Sequence, residues 1–222
     1  MNLKKWWSLF STTLVIGTLA SVIIGLILFF AEMDQFSTKM LIVALLQYFF
    51  LGLLFSVISH VGLFAFLWLQ SLGLSFFKNS FVWVGILLII TVVLYVDLIY
   101  FDVMTIEFLG QANAYILPTA LLIVALVVAA IKSKLTNRKA FIPTLFFIYV
   151  LTVAEWFPAR NIDENDVSVK IYMLLVLLIA STWQILKLHQ ILPVPLVEAR
   201  LGSDIKQSSN EKVKDKKKKK KL

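Results

Sequence analysis

Six apolar runs, each long enough to cross a bilayer as a helix, dominate the 222 residues of this chain. At 1.5 Å per residue, about 20 residues span a hydrocarbon core of about 30 Å. The runs place spans at 9–30, 40–60 with an extension to 77, 81–101, 113–131, 140–157 and 169–188. Hydrophobic residues make up 60% of the chain and charged ones only 15%, more apolar surface than a soluble domain of this length can bury. Lipid offers no partner to backbone N–H and C=O groups, so each span is expected to close as a helix. The fold class that follows is all-α, a polytopic membrane bundle of about six transmembrane helices over 1–195. Residues 196–222 are polar, lack aromatics and read as a disordered polybasic tail.

The connections between the runs alternate in charge. The first, 31–40, carries Glu32, Asp34 and Lys39; the second, 71–80, carries Lys78 alone. The third, 102–112, has Asp102 and Glu107, and the fourth, 132–139, has Lys132, Lys134, Arg138 and Lys139. The fifth, 159–168, sets Arg160 against Asp163, Glu164 and Asp166. One crossing per run produces such alternation, because Lys and Arg are retained on the cytoplasmic side. With the N-terminus inside, Lys4, Lys5, Lys78, Lys132, Lys134, Arg138, Lys139 and Lys187 are cytoplasmic, against Lys39, Arg160 and Lys170 outside. Both termini are therefore expected in the cytoplasm, and the location expected is the plasma membrane, multi-pass. The first run is longer than the usual 7–15 residues of a signal peptide. Phe29 and Phe30 also stand where small residues precede a cleavage site, so it reads as a retained helix. Trp6, Trp7, Trp83, Trp156 and Trp183 fall near span ends, where amphipathic rings favour headgroups.

One run resists this scheme. Residues 41–77 carry no formal charge, and as a single helix they measure about 55 Å. Two crossings there would invert every later connection and put the four-base loop outside. The expectation is one crossing to about His60, then an apolar, glycine-containing segment over 61–77 at the cytoplasmic interface. A re-entrant or tilted continuation is the alternative.

The net charge of +8 is no nucleic-acid signal. Six of the basic residues are the terminal run Lys216, Lys217, Lys218, Lys219, Lys220 and Lys221. No aromatic platform accompanies them, so the expected partner of the tail is anionic lipid headgroups, with no nucleic acid. With no cysteine there are no disulfides and no thiolate metal sites.

Ionisable groups inside a membrane are costly and therefore mark candidate sites. Asp97 lies near Tyr95 and Tyr100 toward the outer end of its span, and Glu155, followed by Trp156 and Pro158, lies toward the outer end of another. Two carboxylates at similar depth could share a proton or hold a cation between helices. The plainer reading, that each bonds Tyr, Thr or headgroups near the interface, takes precedence because outer-end carboxylates cost less than midplane ones. His60 and His189 fall near cytoplasmic span ends without helically spaced ligand partners, so they read as packing or interfacial histidines, with no metal. Gln47, Gln70 and Gln184 read as interhelical hydrogen-bonders. Gly17, Ser21 and Gly25 recur every four residues and make one small face for close helix packing, internal or with a partner; Gly52 and Ser56 repeat it more briefly. His60 and Gly62 join them as candidate contact residues. No nucleophile elbow, metalloprotease helix or P-loop is present, nor a glycine/proline-broken pair of helices in corresponding halves. The chain is therefore expected to be no enzyme and to need no cofactor.

Three stretches carry a family resemblance: FSVISHVGLFAFLWLQSLGLSFF at 55–77, DLIYF at 97–101 and EWFP at 155–158. With LFSTTLVIG at 9–17 and WQILKLH at 183–189, they are similar to the KinB-signalling-pathway activation proteins, the KbaA family, of spore-forming bacilli. The lysine tail extends beyond that pattern. The resemblance implies a polytopic plasma-membrane component needed for a membrane sensor histidine kinase to feed the sporulation phosphorelay, with no catalytic residues to assign. The leading expectation is an accessory protein that activates such a kinase. The alternative, of a different class, is a small transporter or ion-coupled permease using Asp97 and Glu155.

Overall fold

The computed structural model describes residues 3–32, 37–77, 79–100, 115–157 and 167–191, and all its regular structure is helical. The helices are α1 (Leu3–Glu32), α2 (Thr38–Phe76), α3 (Ser80–Tyr100), α4 (Ile116–Leu135), α5 (Phe141–Phe146), α6 (Thr152–Trp156) and α7 (Val167–Lys187). A π-helical turn, Phe147–Leu151, joins α5 to α6, so these form one span. Six helical stretches among the described residues are long and apolar enough to cross a membrane. The contacts divide the chain into two units, Met1–Lys187 and Leu188–Leu222. The second is described only over the 3-10 turn Leu188–Gln190, which carries His189, and Ile191. The lysine run 216–221 lies outside the described residues.

Two features of the helices differ from what the sequence leads one to expect. Residues 61–76 do not leave the helix: α2 runs unbroken for 39 residues, and Phe77 is its extended cap. His60 is therefore mid-helix and not at a span end. The two glycines of this segment, Gly62 and Gly73, fail to interrupt α2 because each is filled by a neighbour. A Cβ on Gly62 would lie 1.6 Å from Glu155 Oε1, and one on Gly73 would lie 2.2–2.4 Å from the Trp83 indole. The second difference is the fifth span, expected as one regular helix but wound wide at Phe147–Leu151, where the buried side chains Phe147, Ile148 and Tyr149 fill the core. Pro118 and Pro143 sit in the opening turns of α4 and α5, where a missing N–H leaves no helical bond unmade.

Helices α1, α2 and α7 pack on one another, and α3 and α4 gather around the α5–α6 span. Ring and glycine contacts give the directions. Trp6 stacks on Phe64 at 5.5 Å and Phe10 meets His60 at 4.9 Å. Gly17 then faces Ser56, and Gly25 faces Tyr48, so α1 and α2 are antiparallel. Tyr172 touches Phe55, Ser181 bonds Ser59 and Gln184 bonds His60, so α7 runs parallel to α2. A second and a sixth span that share a direction are what one reversal per connection gives, and the alternation of loop charge has the same parity.

Burial is inverted relative to a soluble bundle. On α1, Thr13 and Ser21 are fully buried and Gly17 and Gly25 are buried, whereas Val15, Leu19, Ile23 and Ile27 form a stripe 57–63% exposed. A water-soluble helix turns its apolar stripe inward. Here small and polar groups face the neighbours and large apolar ones face out, as in helices associating within lipid. The tryptophans depart from the expected headgroup belt. Trp83 and Trp156 are 5% and 2% exposed; the Trp83 indole N–H donates to Gln70 Oε1 at 3.0 Å and the Trp156 N–H to the Lys170 carbonyl at 2.9 Å. Trp6 and Trp7 are the more open pair, with Trp7 70% exposed.

Candidate functional site

A polar seam runs along the contact of α1, α2 and α7. It begins at Gly25, whose missing side chain admits the Tyr48 ring, at 2.3–2.6 Å from where a Cβ would stand. One turn on, Ser21 Oγ donates to the Tyr48 carbonyl. A serine hydroxyl has one proton, so the Tyr172 hydroxyl must donate to Ser21 in their shared bond. Gly52 lies against the same turn of α1, its would-be Cβ 2.6 Å from Ser21 Cβ and 2.7 Å from Thr18 Cα. Gly17 takes the Ser56 hydroxyl into its open side, and Ser56 Oγ donates to the Gly52 carbonyl at 2.7 Å. The small face Gly17, Ser21 and Gly25 thus meets Gly52, Ser56 and Tyr48 of the same chain. The seam continues through the Ser59–Ser181 bond at 2.9 Å to His60.

His60 is 4% exposed. Gln184 Nε2 donates to His60 Nδ1 at 2.8 Å, which places the imidazole proton on Nε2. That Nε2, together with Gln184 Oε1 and Thr18 Oγ1, is buried and has no hydrogen-bond partner among the described residues. Phe10 and Phe64 flank the ring. Gln47, by contrast, is exposed and makes no such bond.

Two residues further along α2, Gly62 receives the Glu155 carboxylate. Both carboxylate oxygens are buried without a hydrogen-bond partner among the described residues, as are Thr152 Oγ1 and Tyr149 OH on the preceding turns. Two other buried threonines bond the carbonyl four residues back, Thr13 that of Leu9 at 2.9 Å and Thr91 that of Leu87 at 2.8 Å, whereas Thr18 on α1 does not. Thr152 follows the π-helical turn, where widened register moves that carbonyl out of line. Asp97 is not brought into this group. It is half-buried on α3 and has no hydrogen bond or ion pair among the described residues. Nor do three of His, Asp or Glu cluster as metal ligands among the described residues.

Lys132, read from the sequence as a loop base, is instead buried within the last turn of α4, with Nζ donating to the Leu186 carbonyl at 3.4 Å. A cation there meets the carbonyl end of α7, where the helix dipole favours positive charge. Sequence reasoning missed this contact, the Tyr48–Ser21–Tyr172 relay and the Ser59–Ser181 bond. Only the relay had a local signal, the serine set between two glycines at four-residue spacing.

No solved structure matches the chain. A family model described as KbaA, KinB-signalling pathway activation in sporulation, matches residues 15–191. A curated relative, the KinB-signaling pathway activation protein of Bacillus subtilis (strain 168), is 32% identical over 168 residues, covering 71% of this chain and 82% of the relative. The match takes in the seam, Gly62 and Glu155, and the chain belongs to the KbaA family.

Proposed function

We propose that the chain is a multi-pass plasma-membrane protein, with both termini cytoplasmic, that activates a membrane sensor histidine kinase feeding the sporulation phosphorelay, and that it does so without catalysing a reaction. Its family membership carries this reading: the match covers nearly all of the helical bundle and stops before the polybasic tail. The inverted burial on α1 and the six long apolar helices support placement in lipid. Activation by a partner that performs no chemistry requires different contact free energies with the kinase's two conformations. The lipid-facing surface, short connections and tail are the parts able to supply them, because the Gly17/Ser21/Gly25 face is occupied within the chain.

The test is deletion of the gene in its own host, with kinase abundance and phosphorelay output both measured. Output is expected to fall while kinase abundance stays level, and the intact chain supplied in trans restores it. Unchanged output in the deletion strain overturns the proposal. The Glu155 carboxylate, without a partner among the described residues, favours a second reading, a small ion-coupled transporter. That reading requires a flux in proteoliposomes that Glu155→Gln abolishes, and its absence across a broad ion and solute panel rejects it.

A further inference from the structure

We infer that the cleft between the first turns of α1 and the middle of α2 binds one anionic glycerophospholipid, with Lys4 at its phosphate and His60 at its glycerol-ester level. This rests on the membrane-embedded part of the proposed function and is independent of the kinase part. The cleft has a volume of about 600 Å³ and is lined by Lys4, Trp6, Trp7, Phe10, His60 and Phe64.

The antiparallel register sets the depth of each group. Phe10 meets His60, and Lys4 stands six residues earlier on α1, so the ammonium belongs about 9 Å further toward the helix start. A glycerolipid at an interface presents the same order of chemistry over a similar distance: phosphate, then ester oxygens, then acyl chains. Lys4 is exposed and has no partner among the described residues, so its charge is available to the phosphate. His60 offers a buried Nε2–H donor with no acceptor among the described residues, and its other ring nitrogen is taken by Gln184. An ester carbonyl or glycerol hydroxyl is an acceptor without a charge, suited to a site this deep. Phe10, Phe64 and Trp7 supply the apolar wall for the chains; the last two are 52% and 70% exposed.

The sign of the headgroup follows from the charge at the mouth. Lys4 and Lys5 are the only charged residues on α1 before Glu32 at its far end. A phosphatidylcholine headgroup would set its own ammonium against them, although the Trp6 and Trp7 faces could receive that ammonium by cation–π contact. The cleft therefore takes a headgroup of net negative charge, and choline preference is the rival outcome.

The full-length protein is placed in nanodiscs carrying, at equal fraction, photoactivatable phosphatidylglycerol or photoactivatable phosphatidylcholine with the diazirine in an acyl chain. Label on residues 6–10 and 60–64 is mapped by mass spectrometry and divided by label on 88–93, where Leu88, Ile89, Ile90, Val92 and Val93 of α3 are exposed. The ratio cancels any anionic lipid gathered by the lysine tail. One basic side chain near a headgroup predicts about a fivefold higher ratio with phosphatidylglycerol. Lys4→Gln, a surface change that leaves the fold intact, should bring the two probes to parity. His60→Asn keeps a polar atom where Nδ1 meets Gln184 but removes the Nε2 donor, and should lower the phosphatidylglycerol ratio. Equal ratios in the unaltered protein, preference for phosphatidylcholine, or a preference that survives Lys4→Gln overturns the proposal. If 88–93 takes no label from either probe, the membrane-embedded reading falls first and the cleft with it.

Discussion

Gly52 is the point where α1 and α2 come nearest to a hard stop. A methyl group there would meet Ser21 Cβ at 2.6 Å and Thr18 Cα at 2.7 Å, against an ordinary carbon–carbon separation of about 3.5–4.0 Å. Thr18 Cα is backbone in the middle of a long helix, so no rotamer change relieves it and α1 must retreat by roughly 1 Å. That retreat also stretches the Ser21 bonds to the Tyr48 carbonyl and Tyr172, worth about 0.6 kcal/mol each for interhelical bonds in a membrane. Overpacking costs about 1–3 kcal/mol, and alanine returns up to about 1 kcal/mol over glycine in a helix interior. Gly85 on α3 is the control, because nothing lies within 4 Å of its would-be Cβ and only the alanine gain applies. The alanine gain is common to both, so Gly52→Ala and Gly85→Ala should differ in stability by the overpacking and the two stretched bonds, about 2–4 kcal/mol, read from reversible unfolding in mixed detergent micelles. Ser21→Gly added to Gly52→Ala should recover only part of the loss, since it removes one clash and leaves Thr18 Cα. If Gly52→Ala unfolds at the same denaturant fraction as Gly85→Ala, the close approach of α1 and α2 is wrong.

Other positions carry separate tests. Gly62→Ala displaces only the free end of the Glu155 side chain, so it should cost less than Gly52→Ala yet expose the carboxyl; Glu155 should resist a hydrophobic carbodiimide in the parent and react in the variant. Gly73→Ala must move the Trp83 indole and break its 3.0 Å bond to Gln70, costing about 1–3 kcal/mol. In a Trp83→Ala background the same change should be nearly neutral in the unfolding assay. Asp97→Asn, at a half-buried carboxylate with no partner, should shift stability by no more than about 0.5 kcal/mol.

The number of helices and most of their ends were readable from the sequence because bilayer thickness sets a length that an apolar run either meets or misses. Where length stopped deciding, the reading stopped too. Residues 41–77 contain Gly62 and Gly73, which look like interruptions in a chain too long for one crossing, and the folded chain uses both as slots for Glu155 and Trp83. A glycine that breaks a helix and a glycine that admits a neighbour are the same letter; only the partner tells them apart. The π-helical turn at Phe147–Leu151 left no mark in periodicity, because nearly every residue around it is apolar. The tryptophans misled for a related reason. An indole near a span end suits headgroups, but it suits a buried N–H donor equally well when Gln70 or the Lys170 carbonyl lies opposite.

The seam explains why its own residues were partly visible and Glu155's destination was not. Within lipid, burying an apolar side chain gains little, so helix register depends on close backbone approach and on hydrogen bonds between helices. Small residues at four-residue spacing signal the first, and Gly17, Ser21 and Gly25 could be found by that spacing. Hydrogen-bonding residues signal the second only as isolated letters, so Ser59, Ser181, Tyr48 and Tyr172 gained meaning once the directions of α1, α2 and α7 were known. Glu155 needed a third step, the packing of the fifth span against α2 at Gly62. Tolerance to substitution should divide on the same line. Apolar exchanges along Val15, Leu19, Ile23 and Ile27 alter only the outward-facing surface, whereas replacing Ser21 or Ser59 by valine adds volume where helices already touch and removes the bond that sets their register.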